Sequence, residues 1–241
     1  MLRAGEPGTR WKRRMAMGAE VVAEGAREEV LRRIRAAIGE GSLADAAEIR
    51  GEWQALPRNY KRTASLERAA ILEMLEDRLR DYDASVVRVK AGEVGAEIAR
   101  VLAGRGKRRM VAPKGLAEAI GESLPAGFEF VVDDGLTVAE LDTFEGVVTA
   151  STVAIAETGT IVLQNVPGQG RRAPTLIPDY HLCVVRAEDV VETVPEAMAR
   201  LAGTAQLATT FVSGPSATAD IEMTRIKGVH GPRFLDVILT E

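Results

Sequence analysis

Three segments near the start of the chain repeat apolar residues every three to four positions, which is the spacing of one face of an α-helix. The first covers residues 22–38, and the second covers residues 43–56 and stops at Pro57. The third runs to Tyr82 and follows Ser65, whose hydroxyl can cap a helix start. The chain is therefore predicted to begin with a tail and a helical extension.

After residue 83 short apolar runs alternate with helical stretches. The apolar runs are residues 85–89, 110–112, 128–132, 146–164, 181–186, 209–213 and 234–239, and the helical stretches are 93–102, 116–120, 138–144 and 188–201. This alternation is typical of parallel strands joined by right-handed crossovers. We predict an α/β domain with an open, mostly parallel sheet over residues 84–241, preceded by a helical extension over residues 1–83.

Composition narrows the classes of partner. The chain is 46% hydrophobic and 27% charged, as globular proteins are. Its net charge of −4 and 4% aromatic content argue against a nucleic-acid surface. No apolar stretch approaches the roughly 20 residues of a membrane span. We therefore expect a cytoplasmic protein that binds neither nucleic acid nor a membrane.

The cysteine count limits the cofactors. Cys183 is the single cysteine, and His181 and His230 are the only histidines. An iron–sulfur cluster normally needs about four thiolates, and a structural zinc site needs a similar set of ligands. We expect no cofactor or metal of the chain's own, and we interpret Cys183 as a small buried apolar residue.

The densest group of polar residues and glycines lies near the C-terminus, in Ser213–Glu222 and Gly228–Pro232. If a helix begins near Thr218 after a strand, the turn between them lies where open α/β sheets bind ligands, and exposed amides at a helix start suit an anion. Gly214, Ser216 and Thr218 are accordingly predicted to bind a ligand.

Three ionisable residues in the same group are candidates for chemistry. Asp220 and Glu222 lie on one face if this segment is a strand, whereas on a helix Asp220 is a first-turn residue that favours the dipole. His230 suits proton transfer, or alternatively bonds only to backbone. Asp220 and His230 are predicted to be catalytic and Glu222 to bind ligand.

A second group surrounds a strand turn. Glu157 precedes Thr158-Gly159, and Thr160 begins the next strand. A carboxylate on a rigid strand end suits a general base or a nucleophile, although it is equally compatible with an ordinary turn. Glu157 is predicted to be catalytic, with Thr158, Gly159 and Thr160 binding ligand.

Arg171 and Arg172 follow Gly168-Gln169-Gly170 in a long loop. A guanidinium here can clamp a carboxylate or phosphate with two hydrogen bonds, whereas paired loop arginines are otherwise solvated. Pro174 follows at once, so this glycine pattern opens no helix and does not indicate a dinucleotide site. Arg172 is predicted to bind ligand.

Three blocks of the sequence together resemble the LUD-domain family: Ala156–Thr160, Arg172 ahead of Ile177-Pro178, and the C-terminal group of Ser213–Glu222 with Gly228–Pro232. The resemblance covers roughly residues 85–241. It implies a NagB/RpiA/CoA-transferase-like sheet and a role in oxidising L-lactate to pyruvate. It also implies two cysteine-rich partner proteins that carry the iron–sulfur clusters, with which a single Cys183 agrees.

We therefore hypothesise an accessory or ligand-binding subunit of a lactate-oxidising assembly, with a small carboxylate such as lactate or pyruvate held among Glu157, Arg172, Ser216, Asp220 and His230. The alternative is a free-standing enzyme of the CoA-transferase or 5-formyltetrahydrofolate cyclo-ligase kind, with Glu157 as nucleophile or base. A third hypothesis is a regulator that senses lactate without reacting. Whether the chain is an enzyme stays open, and a homo-oligomer is compatible with each hypothesis.

Overall fold

The computed structural model describes residues 25–37, 46–120, 124–218, 226–228 and 230–241. The chain divides into two compact units, Met1–Asn59 and Tyr60–Glu241. Within the described part of the first unit, helix α1 covers residues 25–37 and helix α2 covers Ala46–Ala55. Both helices lie inside the segments that the apolar spacing predicted.

The second unit contains two main sheets and five helices within its described residues. The helices are α3 Arg68–Asp81, α4 Val94–Gly104, α5 Leu116–Ile120, α6 Val138–Leu141 and α7 Val194–Leu201. The strands are β1 Ser85–Val89, β2 Arg109–Ala112, β3 Glu129–Val132, β4 Gly146–Ala150, β5 Val153–Ile155, β6 Thr160–Gln164, β7 Tyr180–Arg186, β8 Val190–Val191, β9 Thr209–Val212, β10 Ala217–Thr218, β11 Ile226–Lys227 and β12 Phe234–Thr240.

The larger sheet has six strands in the order β1-β12-β7-β4-β2-β3, and every neighbouring pair is parallel. Every residue of β4 and all but the last of β7 are buried. Such continuous burial is typical of parallel strands that are covered on both faces. The predicted α/β fold with an open, mostly parallel sheet is therefore confirmed.

The second sheet has four strands in the order β8-β5-β6-β9 and mixes parallel and antiparallel pairs. It corrects one expectation. The helix predicted for residues 188–201 begins only at Val194, because Val190–Val191 pair with β5 and Thr193 caps the helix through Glu196. The strand predicted at 209–213 belongs to this sheet and pairs antiparallel with β6.

A shared core joins the two sheets and α3. Apolar side chains of α3 pack in one cluster with side chains from β5, β6, β7 and β12. The opposite face of the larger sheet is covered by α4, and α7 covers the smaller sheet. The second unit begins at Tyr60 and includes α3 in its core. The domain boundary between residues 83 and 84 stays a prediction.

Two local predictions are wrong. Ser65 does not cap α3, since Glu67 holds that position and the amide of Ser65 donates to the Glu192 carboxylate. Thr218 does not begin a helix, because Ala217–Thr218 pair antiparallel with Ile226–Lys227. None of the helices in the described ranges has the length and apolarity needed to cross a bilayer.

Candidate functional site

A cavity of about 230 Å³ lies in the second unit, beside the first residues of β7 and β12. Its lining combines one guanidinium, two histidines and several hydroxyls with apolar side chains. The lining residues are Arg172, Thr175, His181, Phe211, Val212, Ser213, Gly214, Pro215, Ser216, Ala217, His230, Gly231, Pro232 and Leu235. Four residues that the sequence predicted to bind ligand or to be catalytic meet here: Arg172, Gly214, Ser216 and His230.

Arg172 uses only half of its guanidinium within the protein. Its Nη1 donates to the carbonyl oxygen and to Oγ1 of Thr175, at 2.7 and 2.9 Å. These bonds hold the arginine against its own turn. Within the described residues the edge formed by Nε and Nη2 has no partner, and no carboxylate pairs with the charge. Partial burial lowers the pKa of Arg172, yet an arginine stays protonated at neutral pH.

Other arginines of the same unit show what this edge binds when a carboxylate is near. Each donates from Nε and Nη2 to both carboxylate oxygens of one aspartate, at 2.6–2.9 Å. The pairs are Arg105 with Asp236, Arg171 with Asp133 and Arg233 with Asp179. This two-bond geometry is the strongest way in which arginine recognises a carboxylate. The free edge of Arg172 is therefore suited to the carboxylate of a ligand.

His181 lies at the inner end of the cavity, on β7, and is only 2% exposed. Its Nε2 lies 2.7 Å from Oγ1 of Thr149 on the neighbouring strand β4. Burial, and then the nearby charge of Arg172, lowers the pKa of His181 to about 4. The imidazole is therefore neutral at physiological pH.

Sequence reasoning treated His181 as an ordinary strand residue and missed it. The available signal was a polar side chain at the start of the apolar run His181 to Val185, in a strand that is buried on both faces. A buried polar group must find a hydrogen-bond partner.

Cys183, two residues on, has Sγ 3.6 Å from Oγ1 of Thr149, and burial raises the pKa of its thiol to about 12. As predicted, Cys183 is buried.

Ser216 ties the two C-terminal turns together. Its amide donates to the Pro232 carbonyl at 2.8 Å, and its Oγ accepts from the His230 amide at 3.1 Å. Gly214 has φ +80°, and a Cβ there would lie 2.5 Å from Cβ of Tyr82. The turn that carries Ser213 to Ser216 therefore requires glycine.

Some predicted residues fall outside this description. Asp220 and Glu222 lie outside the described residues. Thr218 is placed on β10, but its side chain is also outside the description. His230 therefore lies at the cavity, and neither Asp220 nor Glu222 is described beside it.

Glu157 lies away from this cavity. Glu157 is not among the residues that line the cavity, its side chain is 40% exposed, and its Oε1 lies 3.7 Å from Nζ of Lys61. Lys61 also bonds to the buried Glu192, whose pKa it lowers to about 2 together with the amides of Leu66 and Ser65. The structure therefore does not bring Glu157 to the hollow that contains His230.

The residues after Glu157 reach the cavity only indirectly. Oγ1 of Thr160 lies 2.7 Å from Oγ1 of Thr158 and 2.8 Å from Oγ of Ser213, which lines the cavity. Gly159 has φ +58°, and a Cβ there would lie 2.8 Å from Cβ of Arg78. Thr158 and Thr160 thus support Ser213, and Gly159 allows a close packing contact.

Known proteins resemble the chain over most of its length. The LUD domain family model matches residues 12–240. Lactate utilization protein C of Deinococcus radiodurans is 44% identical over 189 residues, covering 77% of this chain and 86% of that protein. Lactate utilization protein C of Macrococcus caseolyticus is 28% identical over 194 residues, covering 76% and 83%.

A solved structure agrees with the fold. The crystal structure of a DUF162 family protein from Deinococcus radiodurans matches with a TM-score of 0.63 and 38% identity, covering 73% of this chain and all of that one. The residues that the family model matches, 12–240, include those that line the cavity. With a family match over residues 12–240 and a relative 44% identical over most of both chains, this chain belongs to the LUD domain family.

Proposed function

We propose that this chain is a subunit of a system that oxidises L-lactate to pyruvate, and that it binds a small carboxylate in the cavity beside Arg172. The observation that carries the proposal is the unpaired Nε–Nη2 edge of Arg172, which faces no carboxylate among the described residues. The names of the two relatives from Deinococcus radiodurans and Macrococcus caseolyticus support a role in lactate utilisation.

The size and lining of the cavity favour a ligand of few atoms. Its volume of about 230 Å³ is below the roughly 300–1,000 Å³ of sites for drug-sized ligands. Its lining offers the guanidinium of Arg172 and the hydroxyl of Ser213, and Leu235 and Phe211 add apolar surface. A short acid with a carboxylate and a small apolar group suits this combination.

The electron-transfer centres belong, in this proposal, to other chains. Oxidation of lactate releases two electrons, which need an acceptor. This chain has one cysteine, and Cys183 is buried with a protonated thiol. Since an iron–sulfur cluster normally takes about four thiolates, we place the clusters in two cysteine-rich partner proteins.

The free-standing enzyme with Glu157 as nucleophile or base is less well supported. A nucleophilic carboxylate needs a substrate beside it, whereas Glu157 is half-exposed, lies near the Lys61 ammonium and stands outside the cavity. The residues that face the cavity instead favour binding by Arg172.

Growth on L-lactate tests the proposal. The gene for this chain is deleted in its source organism and restored as wild type, as Arg172→Met or as Arg100→Met. Arg100 is the matched control, because it is an exposed arginine of α4 whose ion-pair partner within the described residues is Glu97. We expect the deletion and Arg172→Met strains to fail on L-lactate as sole carbon source, and the other two to grow. Normal growth of the deletion strain would remove the lactate assignment.

A further inference from the structure

His181 presents one unused ring nitrogen to the cavity. Its Nε2 is bonded to Thr149, and no group of the described residues bonds to Nδ1. Since His181 lines the cavity and its Nε2 is bonded to Thr149, Nδ1 is the ring nitrogen left for a ligand.

The orientation of this ring is fixed by the larger sheet. Thr149 is fully buried on β4, where it lies opposite Cys183 of β7 in the parallel pairing. Its Oγ1 contacts both Nε2 of His181 and Sγ of Cys183. A ring that is bonded in this way to the neighbouring strand β4 holds Nδ1 at one place in the cavity.

The two basic side chains of the inner cavity have different roles in recognition. Arg172 is charged and offers two parallel donors, which match the two oxygens of a carboxylate. His181 is neutral, so Nδ1 makes one hydrogen bond with an uncharged group, as donor or as acceptor according to its tautomer. A hydroxyl or carbonyl oxygen suits this single bond.

We infer that His181 is the specificity-determining residue of this cavity, with Nδ1 bonding to the oxygen on carbon 2 of a 2-hydroxy or 2-oxo acid while Arg172 holds the carboxylate. Thr149 is then a positioning residue, which acts by orienting the ring. The inference rests on the proposed function, because it needs a small carboxylate at Arg172. It adds the reason why the site selects a substituted acid over a plain one.

The physical basis of this selection is the unpaired nitrogen. A plain acid such as propionate supplies no oxygen to Nδ1 on the buried ring of His181, which weakens its binding relative to an acid that does. We expect the wild-type chain to bind L-lactate or pyruvate about 10- to 100-fold more tightly than propionate.

Isothermal titration calorimetry of the full chain with L-lactate, pyruvate and propionate measures this ratio. In His181→Phe we expect the ratio to fall to about one, because an aromatic ring is kept while both ring nitrogens, including Nδ1, are lost. In Thr149→Val, which keeps the shape of the side chain, the ratio falls as well, and in Thr149→Ser it returns. A general loss of stability lowers all affinities together, so it does not change a ratio measured within one protein.

Each result of these titrations supports or contradicts the role of His181 or the proposed function. Equal affinities of the wild type for propionate and L-lactate, with binding still dependent on Arg172, overturn the role of His181 and leave the carboxylate site standing. An unchanged ratio in His181→Phe overturns it too. If His181→Phe does not fold, the Thr149→Val and Thr149→Ser pair gives the same decision. If the wild type binds none of the three acids, the proposed function fails and the inference fails with it.

Discussion

Replacing Arg172 with methionine should remove most of the affinity of this protein for a small carboxylate. Methionine keeps much of the apolar stem, so the packing of the turn around Thr175 changes little. What is lost is the guanidinium, with its two bonds to Thr175 and its free Nε–Nη2 edge. The change therefore affects binding more than folding.

The size of the effect follows from the hydrogen bonds that the free edge can make. A carboxylate held as Arg171 holds Asp133 accepts two charge-assisted bonds, each worth about 1.5–3 kcal/mol. Arg172 is partly exposed, so solvent screening reduces the sum. We expect a loss of about 2–4 kcal/mol, which corresponds to about 30- to 700-fold weaker binding at 1.4 kcal/mol per factor of ten.

The assay is titration calorimetry with L-lactate on matched variants. Arg172→Lys keeps the charge but not the fork, so we expect an affinity between those of the wild type and Arg172→Met. Arg100→Met removes an exposed arginine of α4 and should bind as the wild type does. If Arg172→Met binds L-lactate within about threefold of the wild type while remaining folded, the assignment of the carboxylate to Arg172 is wrong.

Three further changes test other parts of the structure. The pKa of Glu192 is lowered from its ordinary value near 4.5, so its carboxylate stabilises the fold above that pH, and this contribution is lost as the pH falls towards about 2. The urea midpoints of the wild type and Glu192→Gln should therefore converge between about pH 5 and pH 2. A gap between the midpoints that stays constant over this range would contradict the prediction. Gly214→Ala should lower the free energy of unfolding by at least about 1–2 kcal/mol, because φ at this position is +80°. Gly203→Ala serves as the control, since a Cβ there meets open space. Equal denaturant midpoints of Gly214→Ala and the wild type would show that alanine is not strained at this position. Glu157→Gln should support growth on L-lactate as the wild type does, and lost growth would favour the enzyme hypothesis.

The strand pattern of the larger sheet could be read from the sequence because parallel strands buried on both faces form continuous apolar runs. The runs at 85–89, 110–112 and 234–239 each coincide with a strand to within a residue. The helices α4 and α5 lie between these neighbouring runs, as the helical stretches predicted. The periodicity does not predict the order of the strands in the sheet, which depends on contacts between distant segments.

The smaller sheet was harder to predict, because short pairings leave little periodicity. Two residues, Val190–Val191, form β8 and precede a helix, so the segment resembles the first turn of that helix. Thr218 likewise lies in a two-residue strand, whose partner Ile226–Lys227 follows only after several residues. Pairing with strands that are distant in the sequence determines the structure of both segments, and local propensity contains no information on that pairing.

The site was predicted in part for a related reason. Gly214, Ser216 and His230 stand in turns, where glycine and hydroxyl residues are visible signals. His181 and Thr149 lie inside buried strands, where a polar residue is easily taken as tolerated core. Glu157 was grouped with His230 because each adjoins a turn that contains glycine, but sequence spacing contains no information on which turns meet.

The most direct measurement is a crystal structure of the full chain at a concentration of L-lactate that saturates binding in solution. We expect the two carboxylate oxygens within about 3 Å of Nε and Nη2 of Arg172, as charge-assisted bonds require. Lactate bound instead in the cavity of about 470 Å³ beside Lys114 and Asp134, or absent from the cavity at Arg172, would contradict the proposed carboxylate site.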